Sequence, residues 1–145
     1  MLLHFDHVTI AVEEPEAAIE FFSLLGFVKD KDLVISGQKF ADYMGVPGLE
    51  ARHVTLVLEG REPRQEIQLL HYLKPQPQKD PNIKRLDKLG YNHLCFAVDD
   101  IEATAAKLKQ NGAAILNEIM QFHDRKLVYF AGPGGITLEL AQWTN

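Results

Sequence analysis

Phe5-Asp6-His7-Val8-Thr9-Ile10-Ala11-Val12-Glu13-Glu14-Pro15-Glu16-Ala17 returns 86 residues later as Tyr91-Asn92-His93-Leu94-Cys95-Phe96-Ala97-Val98-Asp99-Asp100-Ile101-Glu102-Ala103. Identities fall at His7/His93, Ala11/Ala97, Val12/Val98, Glu16/Glu102 and Ala17/Ala103, and Gly26 and Gly112 keep the same spacing. Self-similarity at a fixed offset marks two copies of one module. Each copy opens as a strand, because Val8, Ile10 and Val12 alternate with His7, Thr9 and Ala11, and Leu94, Phe96 and Val98 alternate with His93, Cys95 and Ala97. Period two puts the apolar set on one face and the histidine on the other. A helix follows each strand. Pro15 suits a first turn ahead of Ile19, Phe21, Phe22 and Leu25. In the second copy Asp99 or Asp100 caps, Ile101, Ala105 and Leu108 hold one face, and Gly112 ends the helix. The apolar strand face should pack on that helix, leaving His7 and His93 on the opposite side.

Further strands are expected at 27–35, 52–59 and 65–73, then at 114–118, 126–131 and 136–141. The order βαβββ, twice, gives an α+β fold of two tandem modules with mixed sheets. We expect one domain over 1–145, with module one at 4–73, a linker at 74–90 and module two at 91–142. Pro75, Pro77 and Pro81 break regular structure in the linker, whose Lys74, Lys79, Lys84, Arg85 and Lys88 face only Asp80 and Asp87. It reads as a solvated connector, with an anion-contacting flap as the sharper alternative. Residues 36–50, with Gly37, Gly45, Pro47 and Gly48, read as a structureless loop of the length that often forms a lid.

The 145 residues suit one soluble core, being 46% hydrophobic and 24% charged. A net charge of −5 gives no electrostatic footprint for nucleic acid or an anionic membrane. The lone Cys95 makes no internal disulfide, and Met1-Leu2-Leu3-His4 lacks the basic flank of a secretory signal, so a cytoplasmic location is expected. Six histidines remain to be explained.

The last strand of each copy carries one polar residue between apolar neighbours, in Ile67-Gln68-Leu69 and Leu138-Glu139-Leu140. Alternation puts Gln68 and Glu139 on the faces of the matched histidines. Two imidazoles and two side-chain oxygens suit a divalent metal with positions left open for water or substrate. A lone histidine or glutamate on a strand is ordinarily structural. Two pairs at equivalent positions of a repeat are not independent, which favours ligation by His7, Gln68, His93 and Glu139.

These residues resemble the vicinal oxygen chelate superfamily, which includes glyoxalase I, methylmalonyl-CoA epimerase, fosfomycin- and bleomycin-resistance proteins and extradiol dioxygenases. The resemblance runs from Phe5 to Gln142. It is carried by Asp6-His7-Val8-Thr9-Ile10-Ala11-Val12, Leu25-Gly26-Phe27, Ile67-Gln68-Leu69-Leu70, Asn92-His93-Leu94-Cys95-Phe96-Ala97-Val98-Asp99-Asp100-Ile101 and Gly132-Pro133-Gly134-Gly135-Ile136-Thr137-Leu138-Glu139-Leu140. It implies paired modules, each curling a sheet around half of a metal-centred cup, in a homodimer that binds a small-molecule substrate. The implied cofactor is a divalent ion (zinc, nickel, cobalt, manganese or iron), and the implied ligands are the same four residues.

For the glyoxalase- or epimerase-like branch the resemblance implies a lyase or isomerase. A proton leaves a carbon next to a carbonyl, an enediolate or enolate forms, the metal acts as Lewis acid, and a carboxylate moves the proton. Glu139 is the one carboxylate among the four, so it is expected as ligand and base. Gln68 resembles the epimerases, which take a further glutamate from the preceding strand; Glu50 lies in about that stretch. The longer 36–50 segment and Ala131-Gly132-Pro133-Gly134-Gly135 depart from the epimerase pattern. No spacing marks which of Arg52, Arg61, Arg64, Arg85 and Arg125 would hold a glutathione carboxylate. An extradiol-type dioxygenase using His7, His93 and Glu139 is an alternative, although such enzymes usually need twice this length. A drug-sequestering binding protein is the non-enzymatic one.

Thr9, Tyr43, Met44, Tyr72 and Cys95 are expected to line a substrate pocket, Cys95 as a small packing residue. His71, facing away from Gln68, reads as structural, and His4, His53 and His123 as surface or hydrogen-bonded groups. Residues 132–135 precede no helix and so form a turn, not a phosphate loop.

Overall fold

The computed structural model describes residues 1–144, in two compact units, Met1–Lys79 and a second beginning at Asp80. The boundary falls inside the proline-rich 74–90 segment. The first unit runs β1 (His7–Ala11), α1 (Pro15–Ser23), β2 (Phe27–Ser36), α2 (Gln38–Met44), β3 (Glu50–Leu58), β4 (Gln65–Lys74). Its sheet has the order β1-β4-β3-β2, with β1 parallel to β4 and the other pairs antiparallel. The second unit runs β5 (Leu94–Ala97), α3 (Ile101–Gln110), β6 (Met120–Phe122), β7 (Arg125–Ala131), β8 (Thr137–Trp143). Its order, β5-β8-β7-β6, repeats the topology, again with the first strand parallel to the last. The fold is α+β, two βαβββ modules, as the repeat predicts.

Local chemistry accounts for both helices that pack on the sheets. Pro15 opens α1, where its missing N–H is no loss. Phe22 is fully buried, edge-to-face with Phe21 at 5.3 Å and Phe27 at 6.2 Å, and Ile67 and Leu69 of β4 are buried too. Asp100 caps α3 by accepting from the Ala103 N–H at 2.9 Å, and Ile101, Ala105 and Leu108 are buried with Val128, Phe130, Leu138 and Leu140. Gly26 and Gly112, 86 residues apart, follow these helices at φ +95° and +89°, a left-handed turn that strains any residue with a Cβ.

Two expectations are corrected. Residues 36–50 are not structureless, because α2 fills them and sets Ala41 and Leu49 against Ile35, Ala51 and Leu70, with Met44, Val46 and Tyr72 around them. Seven residues with glycines at both ends hide a short helix from periodicity. The strand expected at 114–118 is only a bridge between Ile115 and Phe130. Leu116 N–H donates to Tyr129 O, but the Asn117 side chain then takes the Tyr129 N–H at 3.0 Å, and regular pairing resumes at Met120–Phe122. A side-chain oxygen has replaced a backbone one.

The linker cations are largely neutralised. Lys79 pairs with Glu13, Arg85 with Asp87, and Lys88 with Asp80, while Lys84 lies over Gly135. That suits the solvated-connector reading. No helix among the described residues is long and apolar enough to cross a membrane.

Candidate metal centre

In each unit the candidate ligands lie on the sheet face turned away from its packed helix. His7 pairs with Glu66 and Thr9 with Gln68 across β1 and β4. Cys95 pairs with Glu139 across β5 and β8, and His93 precedes Cys95 by two residues, as His7 precedes Thr9. The step from histidine to partner is therefore the same in both sheets.

The side chains repeat a second relation. His7 Nδ1 lies 2.6 Å from Asp6 Oδ2, and His93 Nδ1 lies 2.7 Å from Asn92 Oδ1. Both partners are acceptors, so each Nδ1 donates to its neighbour and each Nε2 is left to meet another group, the orientation in which an imidazole can ligate a metal. Asp6 and Asn92 keep the 86-residue spacing, so the repeat carries this relation as well. The hydrogen bond to His7 holds the Asp6 carboxyl below its usual range.

In the second unit His93 Nε2 stands 3.3 Å from Oε1 of Glu139, a carboxylate only 8% exposed. Protonated, His93 forms an ion pair with Glu139 here; an imidazole nitrogen beside a carboxylate oxygen is also a donor set that fits a divalent metal. The Tyr129 ring packs edge-on against His93 at 5.1 Å and, directly across from Glu139 in the β7–β8 register, shares its face. Burial, then the Glu139 charge, raises the Tyr129 pKa. Burial first, then a hydrogen bond to Glu139 and the Glu139 charge, push the Cys95 thiol up to about 12, so it is held neutral and is a poor nucleophile at neutral pH. Tyr129 was not singled out from sequence; the alternation Leu127-Val128-Tyr129-Phe130 would have placed it.

In the first unit the Gln68 amide is held from both ends. Its Nε2 donates to Glu66 Oε2 at 2.6 Å, while His53 Nε2 lies 3.0 Å and Thr9 Oγ1 3.4 Å from its Oε1. His53 is thus the hydrogen-bonded group expected, and its partner is Gln68. Glu66 is a residue the sequence reading missed: Asp6, His7 and Glu66 offer ligand atoms within 4.8 Å of one another. Arg64 also ties Glu66, at 2.8 Å. His71, on the other face, bonds the Val12 carbonyl at 3.1 Å.

Other expected site residues lie apart from these ligands. Glu50, at the far end of β3, sits 3.9 Å from Lys74 and lines a cavity of about 300 Å³ with Ser36, Gly37 and Leu49. Thr55, five residues further on, is the β3 residue opposite Gln68, so Glu50 is roughly 16 Å away along the strand. Met44 and Tyr72 pack in the α2 cluster, and Tyr43 is almost fully exposed on α2.

Two mixed sheets of βαβββ topology, each presenting a histidine beside a last-strand oxygen donor, define the vicinal oxygen chelate class. Residues 4–140 match the Glyoxalase/Bleomycin resistance protein/Dioxygenase superfamily, and the chain belongs to that family. It is 31% identical over 120 residues to an ethylmalonyl-CoA/methylmalonyl-CoA epimerase of Cereibacter sphaeroides, covering 80% of this chain and 76% of the relative. It is 27% identical over 143 residues to a lactoylglutathione lyase of Schizosaccharomyces pombe, covering 95% of this chain but only 44% of that enzyme. A crystal structure of a glyoxalase family protein from Bacillus cereus superposes with a TM-score of 0.89 at 27% identity, covering 100% of this chain and 97% of that one.

Proposed function

We propose that the protein is a metal-dependent lyase or isomerase of the glyoxalase type, moving a proton at a carbon next to a carbonyl. The proposed metal ligands are His7 and Gln68 in the first unit and His93 and Glu139 in the second. The observation that carries this reading is His93 Nε2 facing Glu139 Oε1 at 3.3 Å with its other nitrogen already bonded. Bound there, a divalent ion supplies Lewis acidity that stabilises charge on the substrate's carbonyl oxygen.

The chain's own groups do the rest. Asn92 and Asp6 fix the imidazole tautomers. Glu66 anchors the Gln68 amide by accepting from its Nε2, while His53 and Thr9 lie against Oε1, the atom proposed as metal donor, and must yield it to the ion. Glu139 accepts the proton from the substrate carbon through a carboxylate oxygen and returns it to the product. Cys95 and Tyr129 stay protonated beside it and add no competing negative charge. Glu139 also lines an open cavity of about 190 Å³ with Asn117 and the apolar Met120, Phe122 and Leu127.

An epimerase-type reaction on an acyl-CoA is the second reading, and Gln68 at the ligand position favours it. An epimerase working from both faces takes a second carboxylate on the first unit; Glu50, the sequence candidate for that role, stands roughly 16 Å along β3 from the residue opposite Gln68, too far to reach a carbon held beside that amide.

The test is proton exchange followed by NMR in D2O, with the metal-loaded chain given the glutathione hemithioacetal of methylglyoxal in one arm and methylmalonyl-CoA in the other. Exchange in the first arm supports the lyase and in the second the epimerase. No exchange in either arm, with stoichiometric metal bound, overturns proton transfer on these substrates. Absence of any tight divalent metal overturns the metal centre itself.

A further inference from the structure

We propose that Glu66 is a positioning residue that fixes both the orientation and the identity of the ligand beside it. With a carboxylate held at 66, position 68 has to be an amide, its nitrogen spent on Glu66 and its oxygen left as the donor atom. The donor's task rests on the metal-binding reading above, but the pairing of the two side chains can be tested without metal. Glu66 and Gln68 lie two residues apart on β4, so both project from the ligand face. The β1–β4 register sets Glu66 opposite His7 and Gln68 opposite Thr9. Gln68 Nε2 donates to Glu66 Oε2 at 2.6 Å. Turned over, the amide would set its oxygen against the carboxylate, two acceptors with no proton between them. Glu66 therefore decides the orientation, and Oε1 is the end left for His53, at 3.0 Å, and Thr9, at 3.4 Å.

Glu66 is itself held in place. Arg64 Nε donates to its Oε1 at 2.8 Å, and Arg64 Nη2 donates to Asp30 Oδ2 on β2 at 2.7 Å. The Glu66 side chain is only 14% exposed. Each carboxylate oxygen is thus engaged, Oε1 by Arg64 and Oε2 by Gln68, and the group cannot swing away without losing both bonds. That argues against direct ligation by Glu66, although one of its oxygens lies within 4.8 Å of ligand atoms on Asp6 and His7. A carboxylate at 68 would put an acceptor where the amide nitrogen now meets Glu66, and two carboxylate oxygens at that spacing repel.

The second unit has the reverse arrangement. Two residues before Glu139 on β8 stands Thr137, buried and uncharged. Each unit therefore carries one carboxylate in this pair of positions, at 66 in the first and at 139 in the second. Beside a threonine the last-strand ligand can be a carboxylate; beside a glutamate it has to be an amide. The first unit then offers a neutral oxygen, which withdraws less charge from a divalent ion than a carboxylate does and leaves more Lewis acidity for the substrate.

The experiment is a mutant cycle at 66 and 68 in the full chain, read by thermal melts without metal and by zinc affinity in a chelator competition. Without metal, Q68E should lower Tm by about 3 °C or more. Adding E66Q to it should recover the loss, because the new amide at 66 can donate to the new carboxylate at 68 and still accept from Arg64. With zinc, E66A should lose about 10- to 100-fold in affinity, the usual cost of removing a group that orients a ligand. E66Q keeps an acceptor for the Gln68 amide and should keep most of the affinity. If E66A binds zinc as tightly as wild type, Glu66 positions nothing. If E66Q loses as much as E66A, the charge itself matters and Glu66 is a ligand. Either result overturns the proposal, and so does a Q68E chain as stable as E66Q/Q68E, which decides the matter even where E66A does not fold. The two readings fail separately. A wild type that binds no divalent metal removes the metal centre and leaves the coupling of 66 to 68 in the metal-free melts, whereas tight zinc without that coupling does the reverse.

Discussion

His93 Nε2 faces Glu139 Oε1 at 3.3 Å while His93 Nδ1 is bonded to Asn92 at 2.7 Å. The pair thus turns an imidazole nitrogen and a carboxylate oxygen toward one point on the sheet face. We predict that E139Q keeps the fold, since the amide is nearly isosteric, but loses metal or loses proton exchange. Metal content by mass spectrometry after dialysis and deuterium incorporation by NMR read the two outcomes. Unchanged stoichiometry together with unchanged exchange would sink the assignment of Glu139.

Asp6 and Asn92 hold His7 and His93 in the same way from the same repeat position, so both should matter to metal affinity. Loss of a hydrogen bond that fixes a ligating imidazole costs roughly 10- to 100-fold in affinity. D6A and N92A should each fall in that range in a chelator competition, and D6N, which keeps an acceptor oxygen, should fall less than D6A. Equal affinity for all three and wild type would mean that these bonds do not serve a metal.

The sequence repeat made both sheets legible, because period-two alternation and an 86-residue register are global signals. It also put Gln68 and Glu139 on the faces of His7 and His93. What escaped it was set by contacts without periodicity. The α2 helix between Gly37 and Gly45 is stabilised by Ala51 and Leu70 from distant strands, and Asn117 ends a strand through one side-chain bond to Tyr129. The placing of Glu66 opposite His7 and the contact of His53 with Gln68 depend on neighbours across strands, which alternation along one strand does not show.

Arg52 ties α1 to β2 by bonding Glu16 and Asp32, with both Asp32 contacts at 2.8 Å or less. The hydrogen bond from Arg52 holds the Asp32 carboxyl well below the usual carboxylate range, against an opposing desolvation. A carboxyl whose folded pKa lies below its unfolded value of about 3.9 contributes stability that is fully present above that pH and fades as pH falls toward the folded value. D32N should therefore be less stable than wild type at pH 7, with a gap that narrows steadily below about pH 4. Thermal melts of both proteins from pH 7 to pH 2.5 measure the gap. A constant difference across that range would show that Asp32 acts by packing and not by charge.

Gly132 and Gly134 separate two reasons for glycine in one turn. Gly132 has φ −99°, open to any residue, but an added Cβ would lie 2.7 Å from Leu138 Cδ1 and 2.9 Å from Ile136 Cγ1. Leu138 is fully buried in the core under α3 and cannot swing away, so G132A overpacks that core and should destabilise by about 1–3 kcal/mol. Gly134 has open space around it but φ +69°, so G134A pays only local backbone strain, on the order of 1 kcal/mol. Urea denaturation should rank G132A below G134A, and L138A combined with G132A should recover part of the Gly132 loss by making room for the methyl group. The Leu138 cavity has its own cost of about 2–5 kcal/mol, so the recovery is read as non-additivity in a double-mutant cycle. Additive losses would mean that the Gly132 methyl finds room without Leu138, and that the turn, not the core beneath it, sets the requirement for glycine.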